Sequence, residues 1–171
     1  MALPSAAQTL TAPREASQFD FLIGQWDLDV TPKVGGLAAA LHGAPKVVGT
    51  WKGWRAFDGF GVADELRIVD GSGNPLSFNH TLRVYDAKTR RWAIASLDVY
   101  RARISNASAQ WQDGEMFATG NGTTPDGKPT LSRSRFHDIG PDRFRLRQDR
   151  SVDGGASWDD AVLVISARRR K

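Results

Sequence analysis

The chain contains no cysteine. Structural disulfides, thiolate metal centres and cysteine nucleophiles are therefore excluded, and stability has to come from a packed core. Long apolar runs are missing too, since none approaches the ~18 residues that cross a bilayer as a helix. The first eighteen residues lack the charged-then-apolar order of a secretory signal, although an exported chain stripped of its signal would read the same way. The expected compartment is the cytoplasm, or the periplasm or exterior if a signal has been removed. Only three histidines occur, His42, His80 and His137, and they are far apart without metal-ligand spacing. No Gly-x-Ser-x-Gly elbow, phosphate-cradling glycine loop or dinucleotide fingerprint is present, so no motif requires a cofactor. Helical periodicity is nearly absent.

What the chain does have is short alternating runs between turn-forming clusters, which is the all-β pattern. About ten strands are predicted, over 26–30, 48–57, 62–69, 76–85, 92–100, 107–112, 115–121, 131–137, 143–151 and 161–167. The breakers include Asp58-Gly59, the 70–75 turn, Asp113-Gly114, 125–127 and 140–142. Asp-Gly favours hairpins because their turns need positive φ. Short turns make successive strands antiparallel neighbours, and closing the sheet removes its edges. At 171 residues, 40% hydrophobic and 25% charged, the chain suits one domain. The expected division is a loose arm over 1–18, a barrel over 19–167 and a basic tail over 168–171. Residues 18–23 suit a turn of helix that plugs one end. The long 31–46 stretch suits a lid, a portal or a plain insertion.

The net charge is +4. Part of it comes from the terminal arginines, and part from Arg133, Arg135, Arg143, Arg145, Arg147 and Arg150. Such a cluster attracts anions, or forms the solvated outer face of two strands. No nucleic-acid motif accompanies it, which argues against nucleic acid as a partner.

Three stretches carry a resemblance. They are Phe19-Asp20-Phe21-Leu22-Ile23-Gly24-Gln25-Trp26, then Leu82 to Trp92, and Ser151-Val152-Asp153-Gly154-Gly155-Ala156-Ser157-Trp158. The last looks like an Asp-box, a hairpin device in which aspartate caps its own turn. Together they resemble a bacterial family of unknown function that opens with Phe-Asp-Phe-Leu-Ile-Gly-x-Trp and ends near Ser-x-Asp-Gly-Gly-x-x-Trp. The resemblance implies a single antiparallel lipocalin-like (calycin) barrel and brings no catalytic residues. The chain is distantly similar to nitrobindin, a ferric-haem barrel marked by Gly-x-Trp-x-Gly-x-Gly. Gly24 and Trp26 match that motif, whereas Leu28 and Val30 replace its other glycines. No histidine follows His137 to serve as the iron ligand.

Alternation suggests which side chains face a cavity. If Ile68 pairs with Leu76 and Val84 with Ile94, then Asp64, His80 and Asp98 form one inward row. A carboxylate beside an imidazole has three readings: mutual solvation in the core, hydrogen bonding to a ligand, or general acid–base catalysis. Six tryptophans suit an apolar cavity, and the expected walls are Trp26, Trp51, Trp54, Phe78 and Tyr100, with Gln148 as a polar contact. Binding of a small, mostly apolar molecule is the leading expectation. A cofactor-free isomerase, cyclase or lyase using His80 with Asp64 and Asp98 is the alternative, followed by haem binding. The expected partner is a small-molecule ligand or substrate; a membrane is not expected, and a homodimer stays open. A bulge would turn His80 outward. Glu65, Arg67, Arg83 and Tyr85 would then become the interior set and favour a polar or anionic ligand.

Overall fold

The computed structural model describes residues 10–33, 45–124 and 126–171. Ten strands follow in chain order: β1 (Gly24–Pro32), β2 (Val47–Ala56), β3 (Gly61–Asp70), β4 (Pro75–Asp86), β5 (Arg91–Asp98), β6 (Arg103–Gln112), β7 (Glu115–Thr123), β8 (Pro129–His137), β9 (Arg143–Ser151) and β10 (Asp159–Arg169). Each runs antiparallel to the next, and β10 pairs with β1 from Trp26↔Arg169 to Pro32↔Leu163. The barrel is closed. No helix among the described residues is long and apolar enough to cross a membrane.

The β6–β7 hairpin shows how sequence sets the turns. Asp113 and Gly114 both take positive φ, 51° and 82°, as a two-residue type I′ turn requires. Two other turns wrap around carboxylates. Asp70 accepts from the N–H groups of Ser72 and Asn74, both at 2.9 Å, and Asp153 accepts from the N–H of Ser157 at 2.9 Å.

One end of the barrel is a floor of aromatic rings. Two short 3-10 turns, Arg14–Ser17 and Asp20–Leu22, lead into β1 and place Phe19, Phe21 and Leu22 there. The Phe19 ring meets Trp92 edge-on at 4.8 Å, and Trp26 meets Phe144 at 4.9 Å. Both of these indoles have an acceptor: Trp92 donates to Gln18 Oε1 and Trp26 to the Leu22 carbonyl, both at 3.0 Å. Ala16 is buried as well, so packing begins inside the expected arm, whose residues 1–9 lie outside the described ones.

The expected basic tail is likewise part of the barrel as far as Arg169. Its guanidinium lies 4.1 Å from the Trp26 ring centre and donates to the carbonyls of Pro141 (2.7 Å) and Ile23 (3.0 Å). Gly24 takes φ 124°, a backbone conformation that other residues rarely adopt, and its missing side chain also leaves room for Arg169 Nη1, which would lie 2.3 Å from a Cβ there. Arg168 and Arg170 pair with Asp29 and Asp27. Replacing Arg169 with alanine should cost about 2 kcal/mol, from two charge-assisted hydrogen bonds and a cation–π contact on a partly exposed side chain. Urea unfolding checks this, and an unchanged midpoint would remove Arg169 from barrel closure.

Candidate functional site

Pleating sends alternate side chains inward, so hairpin register decides what the barrel holds. Asp64 lies opposite Thr81, Thr81 opposite Ser96, and Ser96 opposite Ser105. The result is a polar row across four neighbouring strands. Thr81 and Ser96 share a hydrogen bond of 3.0 Å. One rung farther from the floor, Asn79 faces Asp98, and Asp98 faces Arg103. Elsewhere on the inner wall, Gln148 donates to Ser134 Oγ at 3.2 Å.

One rung nearer the floor stands Arg83, 5% exposed, which forms an ion pair with Asp64, 1% exposed. The guanidinium also lies 5.0 Å from the Phe19 ring centre. Burial pushes its pKa down to about 9, which leaves it charged at neutral pH. Beyond this Coulombic contact, and among the described residues, neither carboxylate oxygen of Asp64 has a well-formed hydrogen bond, and neither does Arg83 Nε nor the indole N–H of Trp51. Trp51 and Asp64 are near neighbours on the inner wall, because Trp51 faces Leu66 and Gly53 faces Asp64. Buried donors and acceptors with spare capacity are uncommon and mark a place where a polar group can be received.

The barrel wall is split at the other end. The β6–β7 ladder stops at Ala107↔Gly120, although β6 follows β5 to Arg103 and β7 follows β8 to Thr123. Side chains bridge the split. The Asn106 N–H donates to Asn121 Oδ1 at 3.2 Å, and Arg103 Nη1 donates to Thr123 Oγ1 (3.0 Å) and the Thr124 carbonyl (3.1 Å). A cavity of about 660 Å³ opens here, lined by Asn79, Asp98, Arg101, Arg103, Ser105 and Thr130 among others. Asp98 is held by Arg101, through its N–H at 3.2 Å and its guanidinium at 2.8 Å.

The expected Asp64–His80–Asp98 row does not form. The expected register holds at the 70–75 turn, where Val69 faces Pro75, but a bulge at Leu76 then sets Ile68 against Ser77. At the next hairpin four residues separate Asp86 from Arg91, and Val84 faces Ala93 instead of Ile94. Each one-residue shift reverses parity. Two reversals cancel for β5, so Asp64 and Asp98 share the interior while His80 alone turns outward. There it packs 5.7 Å from the Trp54 ring, with Glu65 at 3.9 Å. The fallback interior set is also divided: Arg83 and Tyr85 face inward, while Glu65 and Arg67 face outward.

The expected aromatic walls separate in the same way. Trp26 and Trp51 belong to the packed core. Trp54 and Phe78 lie on the outer face, and Tyr100 sits in the β5–β6 turn with its ring 6.1 Å from Phe78. Of the six expected contacts, Gln148 is the one on the polar inner wall. His137 points outward beside Asp138, and His42 lies outside the described residues. No histidine among the described residues therefore faces the interior as a haem ligand would. Among those residues, no group of three acidic or histidine side chains could hold a metal.

The arginine cluster lies largely on the outer face and is extensively paired. Arg133 and Arg147 both bind Asp149, at 2.8 and 3.1 Å, and Arg135 grips Glu115 with two bonds of 2.6 and 2.7 Å. Burial pushes the Asp149 carboxyl up. The Ala161 N–H and the two arginines outweigh that and hold it at about 2.

No family model matches the chain, and no curated protein does. Among solved structures it is similar to the S-type phycobiliprotein lyase CPES from Guillardia theta, with a TM-score of 0.59, 90% of each chain covered and 11% identity. The chain is a lipocalin-like barrel. At that identity the likeness is one of fold, and the lipocalin-like barrel is the frame in which the polar row and the split wall sit.

Two predictions follow from these pairs. Removing either member of the buried pair, as Asp64→Val or Arg83→Met, should cost about 3–5 kcal/mol, because the other charge is left uncompensated; the double replacement should recover most of it. Chemical denaturation of the three variants measures this, and additive losses would contradict the pairing. Asp149 contributes stability that is present above its unfolded value of ~3.9 and is lost as pH falls toward about 2. Asp149→Asn should flatten that acid limb in thermal melts between pH 5 and 2. A limb of unchanged depth would assign it to other carboxylates.

Proposed function

We propose that this protein binds a small molecule in its barrel, and that the ligand is polar and negatively charged rather than mostly apolar. The observation that carries this reading is the inner wall above the floor, where Asn79, Thr81, Ser96, Asp98, Ser105, Thr130 and Gln148 stand in place of aliphatic side chains. Hydroxyls and amides recognise a ligand through hydrogen bonds, and they disfavour one that would leave them dry and unpaired.

The sign of the charge comes from the cavity's arginines. Asp98 neutralises Arg101. Arg103 spends its hydrogen bonds on two neutral acceptors, and among the described residues no carboxylate lies within ion-pair distance of it. One cation is therefore left over, and a carboxylate or phosphate group would satisfy it. The lipocalin-like barrel supplies the enclosed space that a binding role needs. The likeness to a protein named as a phycobiliprotein lyase supports it also.

Thermal melts with two probes test the reading. Citrate should raise the melting temperature of the wild-type chain, and Arg103→Gln should weaken its apparent affinity about tenfold, the loss of one charged contact worth ~1.4 kcal/mol. Dodecanoate should leave the melt unchanged. Stabilisation by dodecanoate and not by citrate would restore the apolar ligand.

A further inference from the structure

The split between β6 and β7 opens abruptly. At Gly120 the two strands touch, since a Cβ there would lie 2.9 Å from Ala107 Cβ and 3.0 Å from the Asn106 carbonyl oxygen. At Gly122 a Cβ would meet Thr130 Oγ1 of β8 at 3.1 Å, and among the described residues nothing of β6 lies within 4 Å of it. Ser105 would have stood opposite Gly122 had the ladder continued, and it pairs with Ser96 of β5 alone. The parted stretch sets 103–106 against 121–124, roughly 13 Å of strand at ~3.3 Å per residue.

The cavity passes through this gap. Its lining combines the inward Ser105, Gly122 and Thr130 with the outward Ile104, Asn106 and Asn121. A cavity confined to the barrel would touch inward side chains, because pleating sends their neighbours to the other face. The floor end offers no such route, closed as it is by the fully buried rings of Phe19, Trp26 and Trp92.

We infer that the ligand enters through the side wall between β6 and β7, past a latch formed by Asn121 and Arg103. The inference rests on the reading that the barrel takes a ligand. The bonds that cross the gap depend on side chains: Asn121 Oδ1 accepts from the Asn106 N–H, and Arg103 reaches Thr123 and Thr124. All of these groups lie in the exposed class, so water replaces each bond as it breaks. Exposed side chains also change rotamer fast, in nanoseconds or less. Through the same stretch, backbone ladders tie β6 to β5 and β7 to β8, and those open only by local unfolding. The weak line in this part of the wall is the β6–β7 gap.

The latch also discriminates by charge. Arg103 donates to a hydroxyl and a carbonyl, both neutral. A carboxylate or phosphate entering the gap is the stronger acceptor and draws the guanidinium away from β7. An anion thus loosens the strap it must pass, and a neutral molecule does not.

Thiol labelling tests the route without any ligand. The chain has no cysteine, so Ser96→Cys supplies a single inward thiol, and Leu97→Cys supplies one on the outer face beside it. Methyl methanethiosulfonate, small and neutral, is the probe. Adding Asn121→Ala should speed labelling of Ser96→Cys about tenfold, the upper range for one hydrogen bond in an opening equilibrium. Thr123→Asp, which gives Arg103 a carboxylate to hold, should slow it by a similar factor. Neither should change labelling of Leu97→Cys. If Ser96→Cys loses the native far-ultraviolet circular dichroism spectrum, Asn79→Cys, on the lining of the same cavity, carries the same test. An inner-thiol rate that both variants leave unchanged, or an outer-thiol rate that shifts in step with it, would overturn the side entrance. Citrate melts keep the two readings apart: stabilisation with unchanged labelling keeps the anionic ligand and strikes the route, and shifted labelling without stabilisation keeps the opening and strikes the anionic ligand.

Discussion

Everything in this molecule depends on β10 reaching β1. Nine of the ten strand interfaces join neighbours in sequence, and the tenth joins residues more than 130 positions apart. That pairing has a clamp at the floor. Arg169 covers the Trp26 ring and ties β10 to carbonyls on two other segments. The aromatic floor then has fixed walls to pack against, and the rungs above it acquire a definite inside. Without closure, the alternation of side chains along β3 to β6 would have no cavity to refer to.

The interior so defined is uneven. Trp26, Leu28, Val30, Leu146, Ile165 and Ala167 make one side of it an ordinary hydrophobic core. The β3–β6 side carries two carboxylates, hydroxyls and an arginine on inward positions, and the apolar residues of β4 face out. An amphipathic strand normally puts its greasy face on the core. β4 does the reverse, and both consequences are chemical: a polar inner wall and an apolar outer one.

Much of the architecture was legible in the residues. Turn chemistry located the hairpins, and the strand count and closure follow from it. Asp64 and Asp98 were read correctly as inward. His80 was misplaced because face assignment rested on the apolar stripe of β4, and that stripe points away from the core. The information that decides the matter is a single bulged residue, Leu76, and a four-residue turn at 87–90. Neither alters hydrophobicity, so no pattern of polarity reveals them. Arg83 escaped for the same reason, since an arginine flanked by Leu82 and Val84 looks like the solvent side of a strand. The clearest sign available was that Ser77, Asn79, Thr81 and Arg83 alternate with those apolar residues, which marks two distinct faces without saying which is inner.

The split between β6 and β7 has a further consequence for how the chain behaves in company. A ladder that stops short exposes strand edges, and edges recruit other strands into aggregates. Here the edges are occupied from within. The Asn121 side chain takes the Asn106 N–H that a neighbouring strand would have used, and Arg103 arches over the opening to Thr123 and Thr124. The barrel can thus keep an opening in its wall without offering a template for β-sheet growth, because side chains stand in for the missing backbone partner.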